Sequence, residues 1–357
     1  MSVDLSTIKL NNKITPLWKG PLEDGITFST LSRFLCCRER FRINMIEGLK
    51  PKHEFNQRIE YGNMWHLCEE AYSNNENRVA RLDKYCKELS IKYPMSRKDI
   101  FKWYSICKVQ FPIYIDLYNN EKINREPVYQ EYVFDIKYKF NKKYEVRLRG
   151  KFDSVDIITD GKFKRLYIQE NKTKSEIVET KIRSQLTYDL QTMLYLTTLD
   201  HMKNISGENN LKYPIGGVIY NVVKRPLSGG KGTIVKHKPT KKNPEGESDI
   251  DYYDRLKEII DTNRSDFFAR WRIDISDYDI KNFRDNCLNP ILMQLVQWWD
   301  YMKSVGFKNN SNNSDLHWRH PFGVYNVMDE GGSSELDEYL HSGSKVGLEK
   351  VDSLFPE

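Results

Sequence analysis

Asp153 closes the run Gly-Lys-Phe-Asp (150–153), and Glu170 and Lys172 frame the run Glu-Asn-Lys (170–172). Two carboxylates and an ammonium are what a cation-assisted attack on a phosphate needs. Asp160-Gly161 lies between the runs as a hairpin signal. A two-residue turn there, or one step later, makes opposed residue numbers sum to an odd number. Asp153 then shares a face with Ile168, Glu170 and Lys172, and stands opposite Glu170 or one diagonal step from it. Facing Cβ atoms lie about 4.5–5.5 Å apart and diagonal ones about 7–8 Å, so the two carboxylates can share a cation at either spacing. Without a cation they would repel, and one would hold a proton. Oxygen ligands of this kind suit Mg²⁺ or Mn²⁺ better than zinc. Lys172 projects from the same face about 6.5 Å further along the strand, where its charge can stabilise a phosphate oxygen. The outline is that of phosphodiester hydrolysis. A structural ion pair is the other reading, because acid-x-Lys is frequent in a chain that is 30% charged. Asp135/Lys137, Asp160/Lys162, Glu179/Lys181 and Asp279/Lys281 have the same spacing.

Further runs extend the pattern on both sides. STLSRFLCCRERFRI (29–43) comes first, then GNMWH (62–66) with Glu69 and Glu70, and QTMLY (191–195) follows the acidic runs. In this order and spacing, over about residues 26–225, the sequence resembles the RecB-like branch of the PD-(D/E)XK nuclease superfamily, in its virus-type exonucleases. The resemblance implies a restriction-endonuclease-like αβββαβ core with Mg²⁺ or Mn²⁺, hydrolysing DNA. It makes Asp153 and Glu170 metal ligands, with His66 and the carbonyl of Asn171 completing the set, and Lys172 the catalytic lysine. Glu69 or Glu70 could hold the other nitrogen of His66. Read alone, His66 is an ordinary hydrogen-bonded helix histidine before it is a ligand; its register with the other motifs reverses that order. Gln191 and Tyr195 become the catalytic pair of the helix after the core strands, placed to meet a phosphate or Lys172. The resemblance further implies an enzyme of DNA recombination, repair or replication, with DNA and a single-strand annealing or binding protein as partners. An endonuclease, or an inactive nucleic-acid-binding scaffold of the same fold, is the alternative. Several relatives hold a four-cysteine iron–sulfur cluster; here Cys36 and Cys37 have only Cys287 as a late counterpart, so no cluster is expected.

The elements that must carry these residues read as an α+β fold. Thr27 or Ser29 caps a first helix bearing Leu31, Phe34, Leu35 and Phe41, which Gly48 and Pro51 end. Helices follow over about 59–72, 78–91 and, after Pro94, 97–118. Beyond Pro127 the pattern turns to strands, 128–140, 144–158 and 164–172, with Asn141-Lys142 between the first two. Thr173 and Glu176 form a capping box for one long helix reaching about Met202. On it Ser184, Tyr188, Gln191 and Tyr195 make a polar-aromatic stripe, and Ile182, Leu186, Leu190 and Leu194 the core-facing one. GGVIYNVV (216–223) is a buried strand, 267–275 another, and helices cover about 250–262 and 276–304. The expected organisation is a helical region with the histidine motif (1–125), the nuclease core (126–225), and a basic loop with a C-terminal helical lobe (226–357), packed as one unit. The tail beyond 305 shows little periodicity, and 317–340, where relatives hold the cluster, is expected to be held by ordinary packing.

Composition sets limits on the rest. A chain of 357 residues, 39% hydrophobic, can bury a core, and 19 Gly and 13 Pro are too few for a disordered Gly/Pro-rich protein. Six cysteines without a Cys-x-x-Cys pair exclude a disulfide scaffold and a zinc ribbon. No run is apolar enough for a membrane span, and MSVDLSTIKL lacks a signal-peptide core. A cytoplasmic location is expected, the host cytoplasm if the chain is virus-encoded. Net charge is +6, so a polyanion is permitted but not demanded. Lys231, Lys236, Lys238, Lys241 and Lys242 form either a phosphate-contacting flap or a solvated loop, and Arg147, Arg149 and Lys151 a basic strand edge. The sequence holds no Walker A, Rossmann or nucleophile-elbow pattern.

Overall fold

The computed structural model describes residues 15–52, 55–119, 125–187, 189–227, 234–241, 243–307 and 334–354. Tyr188, Lys231, Lys242 and residues 317–333 lie outside them. The chain divides into two compact units, one of Met1–Lys52, Asp135–Gly150 and Arg284–Glu357, the other of His53–Phe134 and Lys151–Phe283.

In chain order the helices are α1 (Phe28–Cys36), α2 (Arg38–Phe41), α3 (Gln57–Ser73), α4 (Arg78–Lys92), α5 (Arg97–Tyr118), α6 (Glu179–Leu186), α7 (Leu190–Ser206), α8 (Asp249–Thr262), α9 (Arg264–Phe267), α10 (Asp277–Phe283), α11 (Asn289–Ser304) and α12 (Ser334–Ser342). The strands are β1 (Leu49–Pro51), β2 (Arg125–Lys139), β3 (Glu145–Asp160), β4 (Phe163–Lys174), β5 (Ile215–Lys224), β6 (Phe268–Asp274) and β7 (Leu348–Lys350). A mixed α+β architecture is thus realised.

In the first unit, Thr27 caps α1 through its side chain, but the expected single helix breaks at Cys37, whose extended backbone separates α1 from α2. A wider π-helical turn over Arg42–Glu47 follows, and Gly48, at φ 71°, ends it. The π turn sinks Arg42 between Glu39 and Glu47. Trp18, Phe34, Phe41, Trp298 and Trp299 meet edge to face in this unit's core. The tail, which reads as aperiodic, contributes α12 and β7, and β7 pairs antiparallel with β1. The expected 276–304 helix contains a π segment at Arg284–Leu288, where α10 gives way to α11.

The second unit carries the candidate site. Asn56 and Asn77 cap α3 and α4 with their side chains. These helices, α5 and α8 bury Tyr61, Trp65, Trp103, Phe111 and Leu256, and Val223 of β5 joins that core. The five-stranded sheet runs β2-β3-β4-β5-β6. β3 and β4 are antiparallel with Asp160 opposite Phe163 and Ser154 opposite Gln169. The turn residues are therefore Gly161, at φ 59°, and Lys162. β4 and β5 are parallel, and β6 returns antiparallel to β5. A side chain at Gly217 would put Cβ 2.1 Å from the carbonyl of Ile273, so only glycine lets β6 approach there.

One expectation fails in the crossover. β4 runs on through Thr173 to Lys174, so Thr173 and Glu176 form no capping box, and the expected long helix is two. α6 starts after Val178 with no side-chain cap. It ends at Thr187, whose extended backbone breaks the helix, and Asp189 caps α7 by accepting from the Thr192 N–H. The stripe is divided accordingly: Ser184 is exposed on α6, while Gln191 and Tyr195 ride on α7. Ile182, Leu186 and Leu194 are buried as expected, and Leu190 is half-buried.

Candidate active site

The register of β3 and β4 places Asp153 and Glu170 at the next facing position beyond Ser154 and Gln169. The ladder changes there, because the Asn171 N–H donates to Asp153 Oδ2 at 2.9 Å. A side chain thus replaces a carbonyl as acceptor where the two strands part. Glu170 is buried; its Oε1 accepts from Lys172 Nζ at 2.6 Å. Its Oε2 is buried with no hydrogen-bond partner. Lys172 also donates to Gln191 Oε1 at 2.9 Å. A buried carboxylate oxygen left open is costly unless something positive completes it.

Across the fork, α3 brings His66 Nδ1 to 3.6 Å from Asp153 Oδ2. His66, Glu131 and Asp153 each offer a ligand atom within 4.8 Å of the others. Glu131 is a residue that the sequence reading misses. It sits on β2 with φ 47°, a left-handed backbone that no local pattern announces, and is ion-paired with Lys151. Glu170 stands outside that triplet, so the expected meeting of His66, Asp153 and Glu170 takes a different form: Asp153 is the hinge between a His66/Glu131 side and a Glu170/Lys172 side. All these residues belong to the second unit.

Electrostatics follow from burial. Asp153 is pushed up to about 7, chiefly by desolvation, with the Asn171 N–H opposing and Glu131 adding to the rise. Glu170 also rises to about 7, through burial and then Asp153, against the pull of Lys172. Two neighbouring carboxyls raised together are poised to exchange protons for a cation. Glu69 is raised by burial too, and its Oε1 has no hydrogen-bond partner. Glu70 instead pairs with Arg81 at 3.1 Å.

Other predicted positions resolve unevenly. Tyr195 is buried, its ring edge-on to Phe134 and Phe152, so it supports the site from within the core more than it lines it. Asn171 accepts from Asn221 Nδ2 at 2.9 Å, which fixes its side chain. Arg147 and Arg149 pair with Asp135, and Lys236 with Asp249. Lys238 and Lys241 are exposed.

The family model of the PD-(D/E)XK nuclease superfamily matches residues 26–287, the stretch that contains every residue above. The chain belongs to the PD-(D/E)XK nuclease superfamily. A search of curated proteins finds no match. The membership makes the chain a nuclease by family, and nucleases of this superfamily use divalent metals. The residues present fit such an ion: the open oxygen of Glu170, the Asp153 carboxylate, and the His66/Glu131/Asp153 triplet supply hard oxygen donors and one imidazole. No helix among the described residues is long and apolar enough to cross a membrane.

Proposed function

We propose that this nuclease is a metal-dependent deoxyribonuclease of the RecB-like branch, acting on DNA ends as an exonuclease in recombination, repair or replication. The observation that carries the reading is the buried, incompletely partnered Glu170 beside Asp153, with Lys172 held between Glu170 and Gln191. Asp153 and Glu170 would hold Mg²⁺ or Mn²⁺, aided by His66, Glu131 and the carbonyl of Asn171. The ion would supply Lewis-acid polarisation of the phosphate and favour ionised water. Lys172 stabilises charge that grows on the phosphate oxygens, a contribution that acts on the transition state more than on binding. Gln191 keeps the Lys172 ammonium from folding wholly onto Glu170. Tyr195 holds α7 against β3 so that Gln191 is correctly placed. The histidine on α3 supports the RecB-like assignment, and through it the preference for ends.

Labelled linear and covalently closed circular DNA, digested side by side with Mg²⁺, Mn²⁺ or EDTA, test this. Metal-dependent loss of the linear substrate alone is the expected result. Cutting of closed circles makes the enzyme an endonuclease. Binding without cleavage in either metal, or cleavage that persists in EDTA, overturns the reading.

A further inference from the structure

The second unit contains a cavity of about 630 Å³ on the Gln169 side of the sheet, the face opposite Glu170 and Lys172. That volume lies in the range of small-ligand sites. Its walls include Arg125, Arg270, Arg272, Tyr114, Tyr118 and Glu69. The arrangement is built. The Arg270 guanidinium lies 3.8 Å from the centre of the Tyr118 ring and donates to Tyr114 Oη at 3.2 Å. Asn221, a neutral group, accepts from Arg270 Nε. Arg272 spans Asp160 and Asp274, and Arg125 lies 2.9 Å from Asp156. Glu69 Oε1 is a buried acceptor without a hydrogen-bond partner.

Guanidinium groups recognise phosphate, tyrosine rings stack on bases, and an open carboxylate oxygen accepts from a base N–H or a sugar hydroxyl. Together they match a nucleotide more fully than they match a bare anion, which leaves the rings and Glu69 unused. Location strengthens the match. Glu69 follows His66 by three positions on α3, about one turn away, and acts electrostatically on Asp153 as well as on the cavity. Asn221 joins Arg270 to Asn171, whose N–H holds Asp153.

We infer that the cavity receives one terminal nucleotide of the strand being cut, so that the enzyme measures its cut from an end. The inference rests on the nuclease reading and sharpens it.

Calorimetric titration of dAMP into the full chain in EDTA tests it without cleavage. Saturable one-to-one binding is expected, with deoxyadenosine and inorganic phosphate each weaker by roughly tenfold or more, the worth of one charged hydrogen-bond set. Arg272→Ala and Tyr118→Ala should each weaken dAMP by roughly tenfold on the same scale, with circular dichroism confirming that they fold. Independently of any variant, photolysis with 8-azido-dAMP should label the α5 peptide that carries Tyr114 and Tyr118. A phosphorylated oligonucleotide should displace dAMP; failure to do so assigns a free nucleotide and overturns the strand-end inference. Absence of dAMP binding, phosphate binding as tight as dAMP, or labelling elsewhere also overturns it. If metal-dependent cleavage persists in those cases, the nuclease reading stands without it; if dAMP binds but no DNA is cut, it is the nuclease reading that fails.

Discussion

Asp153 and Asp156 lie three residues apart on β3 and are used in opposite ways. Asp156 is fully buried and surrounded by donors: Ser154 Oγ at 2.9 Å, Gln130 at 3.3 Å, the Gln169 amide, and the Arg125 guanidinium at 2.9 Å. Burial raises it, and each of Arg125, Ser154 and Gln169 pulls it back. Asp153 and Glu170, on the other face, have one backbone N–H and one ammonium between them, and a buried oxygen with nothing bound. Strand parity separates the two sets: odd positions of β3 face Glu170, even ones face Gln169. Asp156 has its charge completed within the chain. Asp153 and Glu170 have left theirs to be completed by something else, which is what a cation site requires.

The largest effects should fall on opposite observables for the two faces. Glu170→Gln or Asp153→Asn should abolish metal-dependent cleavage while the cation-free protein melts at the same temperature or higher, since a repulsion is removed. Asp156→Ala should do the reverse first. It strands four donors and should cost about 3 kcal/mol of stability, read as a lowered melting temperature. Equal destabilisation by Asp153→Asn would erase the distinction.

Next in size is Lys172→Ala. It should slow single-turnover cleavage by roughly 10²–10³-fold, some 3–4 kcal/mol, while DNA affinity in Ca²⁺ changes only a few-fold. A proportionate loss of affinity would make Lys172 a binding group.

Asn221 reaches the candidate cation site through the backbone: on the Gln169 face it donates to both Gln169 and Asn171, and the Asn171 N–H donates to Asp153. Asn221→Ala should therefore weaken Mn²⁺ binding by about 10-fold, in line with lost support to a ligand, with a smaller loss of melting temperature than Asp156→Ala.

The smallest effect is on pH dependence. Asp153 and Glu170 are raised to about 7 in the folded chain, against about 4 when unfolded. The folded state thus binds these protons more tightly, and their contribution to stability is full at acid pH and is lost as pH rises from about 4 to about 7. The cation-free protein should lose a few degrees of melting temperature over that window, and Glu170→Gln should flatten the decline. Added Mg²⁺ should restore more stability above about pH 7 than below it, because protons and cation compete for the same oxygens. A profile unchanged by Glu170→Gln would refute the shared titration.

Much of this was legible in residues whose local pattern and final environment agree. The hairpin's parity follows from the turn signal alone, and it puts Asp153 and Glu170 on one face before any tertiary information is used. Pro94 and the apolar spacing mark α5 in the same way. Glu131 was not legible, because its role depends on a left-handed backbone within a strand and on His66 arriving from a different element. The break between α6 and α7 was hidden by an apolar stripe continuous in sequence: Leu186 and Leu194 are both buried although Thr187 is extended. β1 and β7 are three residues each, and only their mutual pairing, distant in sequence, makes them strands. Asp156 and Asp153 look alike in sequence; apart from Ser154 of β3, the groups that distinguish them come from β2 and β4.

Asp153 and Glu170 are to be completed by a divalent cation. A crystal soaked in Mn²⁺ and measured at the manganese edge tests this most directly. An anomalous peak about 2.0–2.3 Å from carboxylate oxygens of both Asp153 and Glu170 is the predicted result, with His66 or Glu131 adjoining it. A soaked crystal with no peak there, or one bound only at the Asp156 face, would contradict the account.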